Sequence, residues 1–206
     1  MLSIGIDMSI NYTAICQRSE TDIHYDVYLR NLKKQTKRSQ ACIKLMEQTG
    51  QFGVYVLPDE PSCEIEDAIN LTELIMEQFA WGSFTEVNVA IEGFAFQMSN
   101  SSSLSKLIGY QYILREYLFK INQTFSIYPP TTIKKTAGAG NFSKEKMIQA
   151  YLENADVDDV LAKCKIRKLV LDDPSQFKNT PGTKWLKPFE DCVDAYWAAR
   201  TIQNIK

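Results

Sequence analysis

The sequence predicts an α/β layer fold in which helices cover a mixed β-sheet. Three alternating apolar runs open the chain, at residues 2–6, 12–17 and 22–30, and the short polar connections between them are typical of an antiparallel meander. Helical and strand-like periodicities then alternate along the rest of the chain. With 206 residues and a hydrophobic content of 45%, the chain is long enough to form one domain with a substantial core.

The remaining elements follow from periodicity and from residues that start or stop a segment. Strands are predicted at residues 52–58, 86–94 and 123–130, and two prolines stop the last of them. Helices are predicted over residues 63–81, after Ser102 or Ser103 as N-cap, after Ser143 as N-cap, and from Pro188 onward. Residues 172–187 contain "DDPSQ" and "NTPGTKW" and are predicted to form a loop or flap.

Composition disfavours several classes of active site. His24 is the single histidine, and it lies in the alternating run "DIHYDVYL", where an ordinary strand residue is expected. Triads of the Ser-His-Asp type and zinc sites with several His ligands are therefore disfavoured. If the protein is an enzyme, carboxylates should carry its chemistry.

Cysteine usage and hydropathy bear on where the protein works. The five cysteines are widely spaced and contain no CxxC pair, which indicates free thiols in a reducing compartment. No run of about 18 apolar residues is present, and the first apolar run has the pattern of a strand rather than of a cleavable signal. We therefore expect a soluble, cytoplasmic protein with no membrane partner.

The two halves of the chain differ in charge. Residues 1–129 contain 10 Lys and Arg against 15 Asp and Glu, whereas residues 130–187 contain 11 against 7. Basic clusters occur at Lys134 and Lys135, at Lys144 and Lys146, at residues 163–168 and at residues 33–38. Solvated surface charge explains most such clusters, and contact with phosphate groups is the alternative.

Four acidic residues stand where a buried element ends or begins. Asp7 ends the first predicted strand, and Glu92 ends the strand over residues 86–94. Asp191 and Asp194 are three residues apart, so both side chains project from one face of the last helix near its N-terminus. Each acid has an ordinary explanation, because aspartates turn the chain and helix-start acids interact favourably with the helix dipole.

Convergence of these acids would require cations. Ala195, Ala198 and Ala199 permit the last helix to pack closely on a sheet, which would bring its acids to the strand ends. Neighbouring carboxylates repel one another strongly unless cations hold them. Hard oxygen ligands without His or Cys point to Mg²⁺, with Mn²⁺ as a substitute.

Four segments carry a family resemblance over most of the chain. The segments are "IGIDMS", "VAIEGF", "PPTTIKKTAGAGNFSKEKM" and "EDCVDAYWAA", and they resemble, in order and character, the motifs of RuvC-type Holliday junction resolvases of the RNase H-like superfamily. The third segment is the most specific, whereas actin-like ATPases share the first. The resemblance implies a single RNase H-like domain over residues 1–206, with a central five-stranded mixed sheet flanked by helices. It also implies additions near residues 33–61 and 164–187.

The resemblance further implies a metal-dependent nuclease site. Asp7, Glu92, Asp191 and Asp194 match the family's catalytic and metal-binding quartet. In such sites two Mg²⁺ ions support phosphodiester hydrolysis without a covalent intermediate.

Basic and aromatic residues that would meet DNA follow from the same resemblance. Lys134 and Lys144 match basic positions that face DNA, and Lys135 adjoins the first of them. Phe94 and Phe96 flank the position of an aromatic residue that probes the junction centre, and core packing is the alternative role for both.

The implied substrate is a four-way DNA junction, resolved during DNA recombination and repair. Its two-fold symmetry requires two symmetric incisions, which implies a C2 homodimer. The helix over residues 104–118 is either the dimer interface or an ordinary core helix. A broader nuclease for forks and flaps is the nearest alternative. A non-catalytic DNA-binding module and an actin-like ATPase are remoter, the latter because "DMSINYT" contains no glycine for a phosphate loop.

Overall fold

The computed structural model describes residues 1–31, 35–57, 63–78, 86–94, 101–154, 158–180 and 182–204. Within these ranges six strands form one sheet: β1 Leu2–Met8, β2 Tyr12–Arg18, β3 Ile23–Leu29, β4 Phe52–Val56, β5 Val87–Glu92 and β6 Phe125–Tyr128. Their order across the sheet is β4-β3-β2-β1-β5-β6. The mixed α/β class is confirmed, and the sheet has one strand more than the five expected.

Strand directions follow the sequence order of short and long connections. β1, β2 and β3 pair antiparallel as the predicted meander, because their connections are short. β5 pairs parallel to β1, β6 pairs parallel to β5, and β4 pairs parallel to β3. The sixth strand is β4, which extends the sheet beyond the meander at one edge.

Helices cover both faces of the sheet. They are α1 Lys37–Glu47, α2 Glu64–Gln78, α3 Ser101–Lys120, α4 Pro130–Ala137, α5 Lys144–Glu153, α6 Asp159–Ala162, α7 Lys165–Asp172 and α8 Lys187–Asn204, with a short 3-10 helix at Pro174–Phe177. One core lies between the sheet and α1, α4, α5, α7 and α8, and a second core lies between the sheet and α2 and α3. None of the helices within the described ranges has the length and apolar content needed to cross a membrane.

Alternation along β1 assigns its side chains to the two cores. Ile4 and Ile6 are fully buried in the core beneath α2 and α3. Gly5 faces the opposite way, directly against the backbone of α8 at Ala195 and Ala199. Because side chains alternate along a strand, Asp7 lies on the α8 side as well. The last helix and the first strand therefore meet where the predicted acids are.

Four helices, α1, α4, α6 and α7, were not predicted, because other signals dominate their sequences. α1 and α7 begin in the basic clusters at residues 33–38 and 163–168, although each buries an apolar stripe. In α1, Thr36 accepts a hydrogen bond from the Ser39 amide as N-cap. α4 begins at Pro130, so the two prolines that stop β6 also start a helix.

Two predicted helix starts have different outcomes. The Ser143 hydroxyl accepts a hydrogen bond from the Lys146 amide, which confirms Ser143 as the N-cap of α5. α3 begins at Ser101, so the prediction that Ser102 or Ser103 caps it is wrong, and both lie in its first turn.

Residues 172–187 are not a free flap. They contain the end of α7, the 3-10 helix and a bridge between Lys178 and Trp185. Phe177 and Leu186 anchor the segment, because both side chains are buried in the core beneath α8. The segment is the connection between α7 and α8, which agrees with the loop alternative, and the flap alternative is wrong because two buried anchors hold the segment.

Gly5→Ala should destabilise the protein by about 3 kcal/mol or more, because its Cβ would overlap the backbone of α8 at Ala195 and Ala199. Gly109→Ala in α3 is the matched control, because nothing lies within 4 Å of a Cβ there. That control should be neutral or stabilise by about 1 kcal/mol, since alanine favours a helix. Urea unfolding of both variants tests the difference, and equal stabilities would contradict the close packing.

Candidate metal centre and active site

Three of the four predicted acids converge at one end of the sheet. Asp7 lies near the end of β1, and Asp191 and Asp194 lie in the first two turns of α8. One carboxylate oxygen from each lies within 4.8 Å of the others. Asp191 and Asp194 are buried and Asp7 is half-buried. The packing of α8 on β1 therefore assembles an acidic cluster from distant parts of the sequence.

Glu92 is the neighbour of this cluster rather than a member of its tightest group. It ends β5, where Ile91 pairs with Ile6 in the parallel ladder, so Glu92 is adjacent to Asp7 in register. Burial, together with the charges of Asp7 and Asp191, raises the pKa of Glu92 to about 8. All four acids thus belong to one electrostatic environment.

Burial and neighbouring negative charge raise the pKa values of three of these carboxyls, those of Asp7, Glu92 and Asp191. Burial raises the pKa of Asp7, and the charges of Lys144 and Lys187 oppose this increase. Burial and the charge of Asp7 raise the pKa of Asp191 to about 7. The site is therefore a region where fixed positive charge would be strongly stabilising.

Two lysines act as internal counter-ions of the acids. The Lys144 ammonium contacts the Asp194 carboxylate and lies 3.8 Å from Glu190. The Lys187 ammonium donates to Asp191 Oδ1 at 3.1 Å and lies 3.7 Å from Glu190. Sequence reasoning missed Lys187 and Glu190. The spacing could have identified them, because Glu190 and Asp191 follow Lys187 by three and four residues and therefore share one helix face with it.

Tyr12 is a further residue at the site that the sequence did not reveal. It lies on β2, with its hydroxyl hydrogen-bonded to the Gln35 side chain. Burial and the charge of Asp191 raise the pKa of Tyr12 to about 12. The phenol is therefore a neutral hydrogen-bonding group beside the acids near pH 7.

The donor set fits a hard divalent cation. Asp191 Oδ2 is buried and has no hydrogen-bond partner among the described residues, which is costly for a carboxylate unless a ligand engages it. Asp7 and Asp194 offer oxygens within 4.8 Å of Asp191, and all the donors are carboxylates. Mg²⁺ and Mn²⁺ prefer such oxygen ligands.

The predicted DNA-facing lysines lie around the acids. Lys134 and Lys135 occupy the last turn of α4, the first half-buried and the second exposed. The charge of Lys134 lowers the pKa of Glu92, so Lys134 lies close enough to Glu92 to interact. Lys144 begins α5, with half of its side chain exposed.

Of the two aromatic residues predicted to probe the junction centre, the structure describes one. Phe94 is half-buried, packs against the core beneath α2 and α3, and has the Arg115 guanidinium 5.7 Å from its ring centroid. Phe96 lies outside the described residues. His24 is a strand residue in β3 that contacts Asp26 at 3.1 Å.

Comparisons with known proteins establish the fold. No family model matches the sequence, and no curated protein matches it. The structure of Thermus thermophilus RuvC in complex with a Holliday junction substrate matches with a TM-score of 0.50 and 12% identity, covering 98% of this chain and 91% of that chain. A second Thermus thermophilus RuvC structure gives a TM-score of 0.45 at 12% identity, with 98% of this chain and 92% of that chain covered. The yeast mitochondrial Holliday junction resolvase Ydc2 gives 0.41 at 14%, with 96% and 77% covered. The RuvC-like architecture predicted from the resemblance is thus confirmed.

The stability of the metal-free protein should fall as pH rises from about 4 to about 8. The pKa of Glu92 is raised to about 8 and that of Asp191 to about 7, so in this window the folded state binds more protons than the unfolded chain. Mg²⁺ should therefore raise Tm more at pH 8 than at pH 5. Thermal unfolding in EDTA and in Mg²⁺ measures both effects.

Two variants separate this effect from other titrating groups. Glu92→Gln should flatten the pH dependence of Tm, because it removes one of the raised carboxyls. Glu47→Gln, at the exposed end of α1, should leave it unchanged. A metal-free Tm that rises between pH 5 and pH 8 would contradict the buried, mutually repelling acids.

Proposed function

We propose that this protein is a metal-dependent, structure-selective DNA endonuclease that resolves four-way junctions by symmetric phosphodiester hydrolysis. The observation that carries the proposal is the convergence of Asp7, Asp191 and Asp194 within 4.8 Å, with Glu92 adjacent to them. The RuvC-like fold supports the assignment, because the Thermus thermophilus RuvC structure of that fold is in complex with a Holliday junction substrate.

The acids would hold two Mg²⁺ ions, with Mn²⁺ as a substitute. Asp7, Asp191 and Asp194 would supply ligand oxygens, and Glu92 would complete the quartet after losing its proton. Bound ions would supply an activated water and charge stabilisation for the phosphodiester. Lys187 would orient Asp191, because its ammonium donates to Asp191 Oδ1.

Basic residues around the acids would place the DNA strand. Lys134 in α4 and Lys144 at the start of α5 would contact phosphates near the cut, with Lys135 exposed beside them. Lys144 would exchange its contact with Asp194 for a phosphate once cations occupy the acids. Phe94 or Phe96 would enter the junction centre, and Arg115 supports the Phe94 ring.

Asp7→Asn should abolish cleavage while DNA binding stays within about twofold of wild type, because the change removes a metal ligand and no phosphate-contacting cation. Cleavage is measured under single turnover with Mg²⁺ on four-way junction, fork, flap and duplex DNA. Binding is measured on the same substrates in Ca²⁺. Glu47→Gln controls for loss of an acid elsewhere.

The outcomes of the cleavage and binding assays distinguish the candidate functions. A fully active Asp7→Asn variant would overturn the acidic quartet. Equal cleavage of forks, flaps and junctions would replace junction resolution with a broader branched-DNA nuclease. Absence of Mg²⁺-dependent cleavage on every substrate, with binding retained, would indicate a non-catalytic DNA-binding module.

We also propose a C2 homodimer with α3 at its interface. Two large apolar side chains on α3 are exposed, Tyr112 at 62% and Phe119 at 75%. The neighbouring edge strand β6 exposes Ile127 at 44%. A two-fold interface would bury these side chains and place two sites for the two incisions that a junction requires.

Phe119→Glu should convert the dimer to a monomer, because a charged side chain would be buried at the two-fold interface. Ile65→Glu is the matched control, since Ile65 is 66% exposed on α2 and lies outside the proposed interface. Sedimentation at micromolar concentration, with and without junction DNA, measures the state. A wild-type protein that stays monomeric in both conditions would refute the homodimer.

A further inference from the structure

A small hairpin near the acids is held in one conformation by its own hydrogen bonds. We call residues 178–180 and 182–185 the clamped hairpin. Its ends pair through the Lys178 to Trp185 bridge, and the Asn179 amide donates to the Lys184 carbonyl at 2.8 Å. The Asn179 side-chain oxygen accepts from the Thr183 and Lys184 amides at 3.1 and 2.9 Å. These bonds fix the backbone on which Lys184 is carried.

Arg38 of α1 clamps the hairpin from outside. Its guanidinium donates to the carbonyls of Lys178 at 2.6 Å and Ser175 at 2.7 Å, and to the Thr180 hydroxyl at 2.9 Å. All three of its nitrogens are engaged. The exposed Arg38 thus acts as a positioning residue for the hairpin backbone.

The base of the clamped hairpin is anchored on the two helices that begin at the acids. The Trp185 ring lies 5.4 Å from that of Phe189 in α8, and its Nε1 donates to Glu145 in α5 at 2.9 Å. The Lys178 ammonium lies 4.5 Å from the Trp185 ring centroid and 3.8 Å from Glu145. The Lys178 ammonium therefore stabilises the base of the clamped hairpin through these two contacts.

The segment over residues 174–187 carries only positive charge, and one of its lysines forms no ion pair with a described residue. Residues 174–187 contain three lysines and no acidic residue. Lys187 contacts the acids and Lys178 contacts Glu145, whereas the Lys184 side chain is exposed and forms no ion pair with any described residue. An uncompensated lysine on a rigid support is suited to an anionic partner, because little conformational entropy is lost on binding.

Chain geometry limits the position of Lys184 relative to the acids. Lys184 is three positions before Lys187, so their Cα atoms are about 11 Å apart at most. The Lys187 ammonium in turn lies 3.1 Å from Asp191. For two lysine side chains that extend in parallel, a DNA strand advancing about 3.4 Å per nucleotide covers this separation in about three nucleotides.

We propose that Lys184, presented by the clamped hairpin, binds a backbone phosphate within about three nucleotides of the scissile phosphate. The proposal rests on the proposed nuclease function and adds a phosphate site that the motifs do not supply. Arg38 positions this site through the hairpin backbone, because each of its three guanidinium nitrogens already donates to the hairpin or to the 3-10 helix before it.

The test compares Lys184→Ala with wild type on four-way junction DNA in Ca²⁺. The variant should bind more weakly and lower the salt slope by about 0.9, so the affinity ratio of wild type to variant should fall about 3.5-fold between 50 mM and 200 mM salt. Lys134→Ala is the positive control. Lys163→Ala is the negative control, because Lys163 lies beside Lys165, whose amide contacts Gln51 before β4, at the sheet end opposite Asp7.

Replacing single DNA phosphates by neutral methylphosphonates identifies the phosphate that Lys184 contacts. A set of junctions is prepared, each with a single methylphosphonate at one of four positions on either side of the cut. At one position within about three nucleotides of the cut, the neutral group should weaken DNA binding by wild type but leave DNA binding by Lys184→Ala unchanged. Arg38→Gln should weaken binding while keeping the wild-type salt slope, which a lost phosphate contact would not do.

The outcomes distinguish this site from the proposed function. A wild-type protein that cuts junctions, together with an unchanged salt slope and interference pattern in Lys184→Ala, would overturn the Lys184 site alone. The predicted slope and interference pattern in a wild-type protein that cuts no DNA would support the Lys184 site and overturn the nuclease proposal.

Discussion

The close contact between α8 and β1 is the constraint on which the site depends. Gly5 has no side chain, and α8 presents Ala195 and Ala199 to it, so the helix backbone lies directly on the strand. A larger residue at any of these positions would separate the two elements by the thickness of a side chain. The 4.8 Å grouping of Asp7, Asp191 and Asp194 requires that separation to be minimal.

The acidic cluster is compatible with a folded protein because lysines accompany it. Buried like charges destabilise the folded state, and here they raise the pKa values of Glu92 and Asp191 to about 8 and about 7. Lys144 and Lys187 offset part of this repulsion through direct contacts with Asp194 and Asp191. Cations bound at the acids would compensate the same negative charge that these two lysines now compensate.

The two segments that the resemblance marks as additions contact each other in two places. Arg38, in the first segment, holds the hairpin that belongs to the second. At the other end, Lys165 donates its backbone amide to the Gln51 side chain at 2.7 Å and its ammonium to the Thr49 carbonyl at 3.0 Å. The two segments are therefore joined to each other near both ends of the sheet.

Local sequence patterns were sufficient to predict the mixed α/β class, the antiparallel meander, the Ser143 cap and the positions of four acids at the ends of elements. Each of these depends on local periodicity or on residues a few positions apart. Three features became visible only in the folded chain: Glu92 lies beside the tightest group of acids, Lys187 and Glu190 join the site, and a clamped hairpin replaces the expected flap. These features depend on contacts such as Arg38 with Lys178, between residues far apart in the chain. Periodicity describes which face of an element is buried, and it carries no information about which distant side chain meets that face.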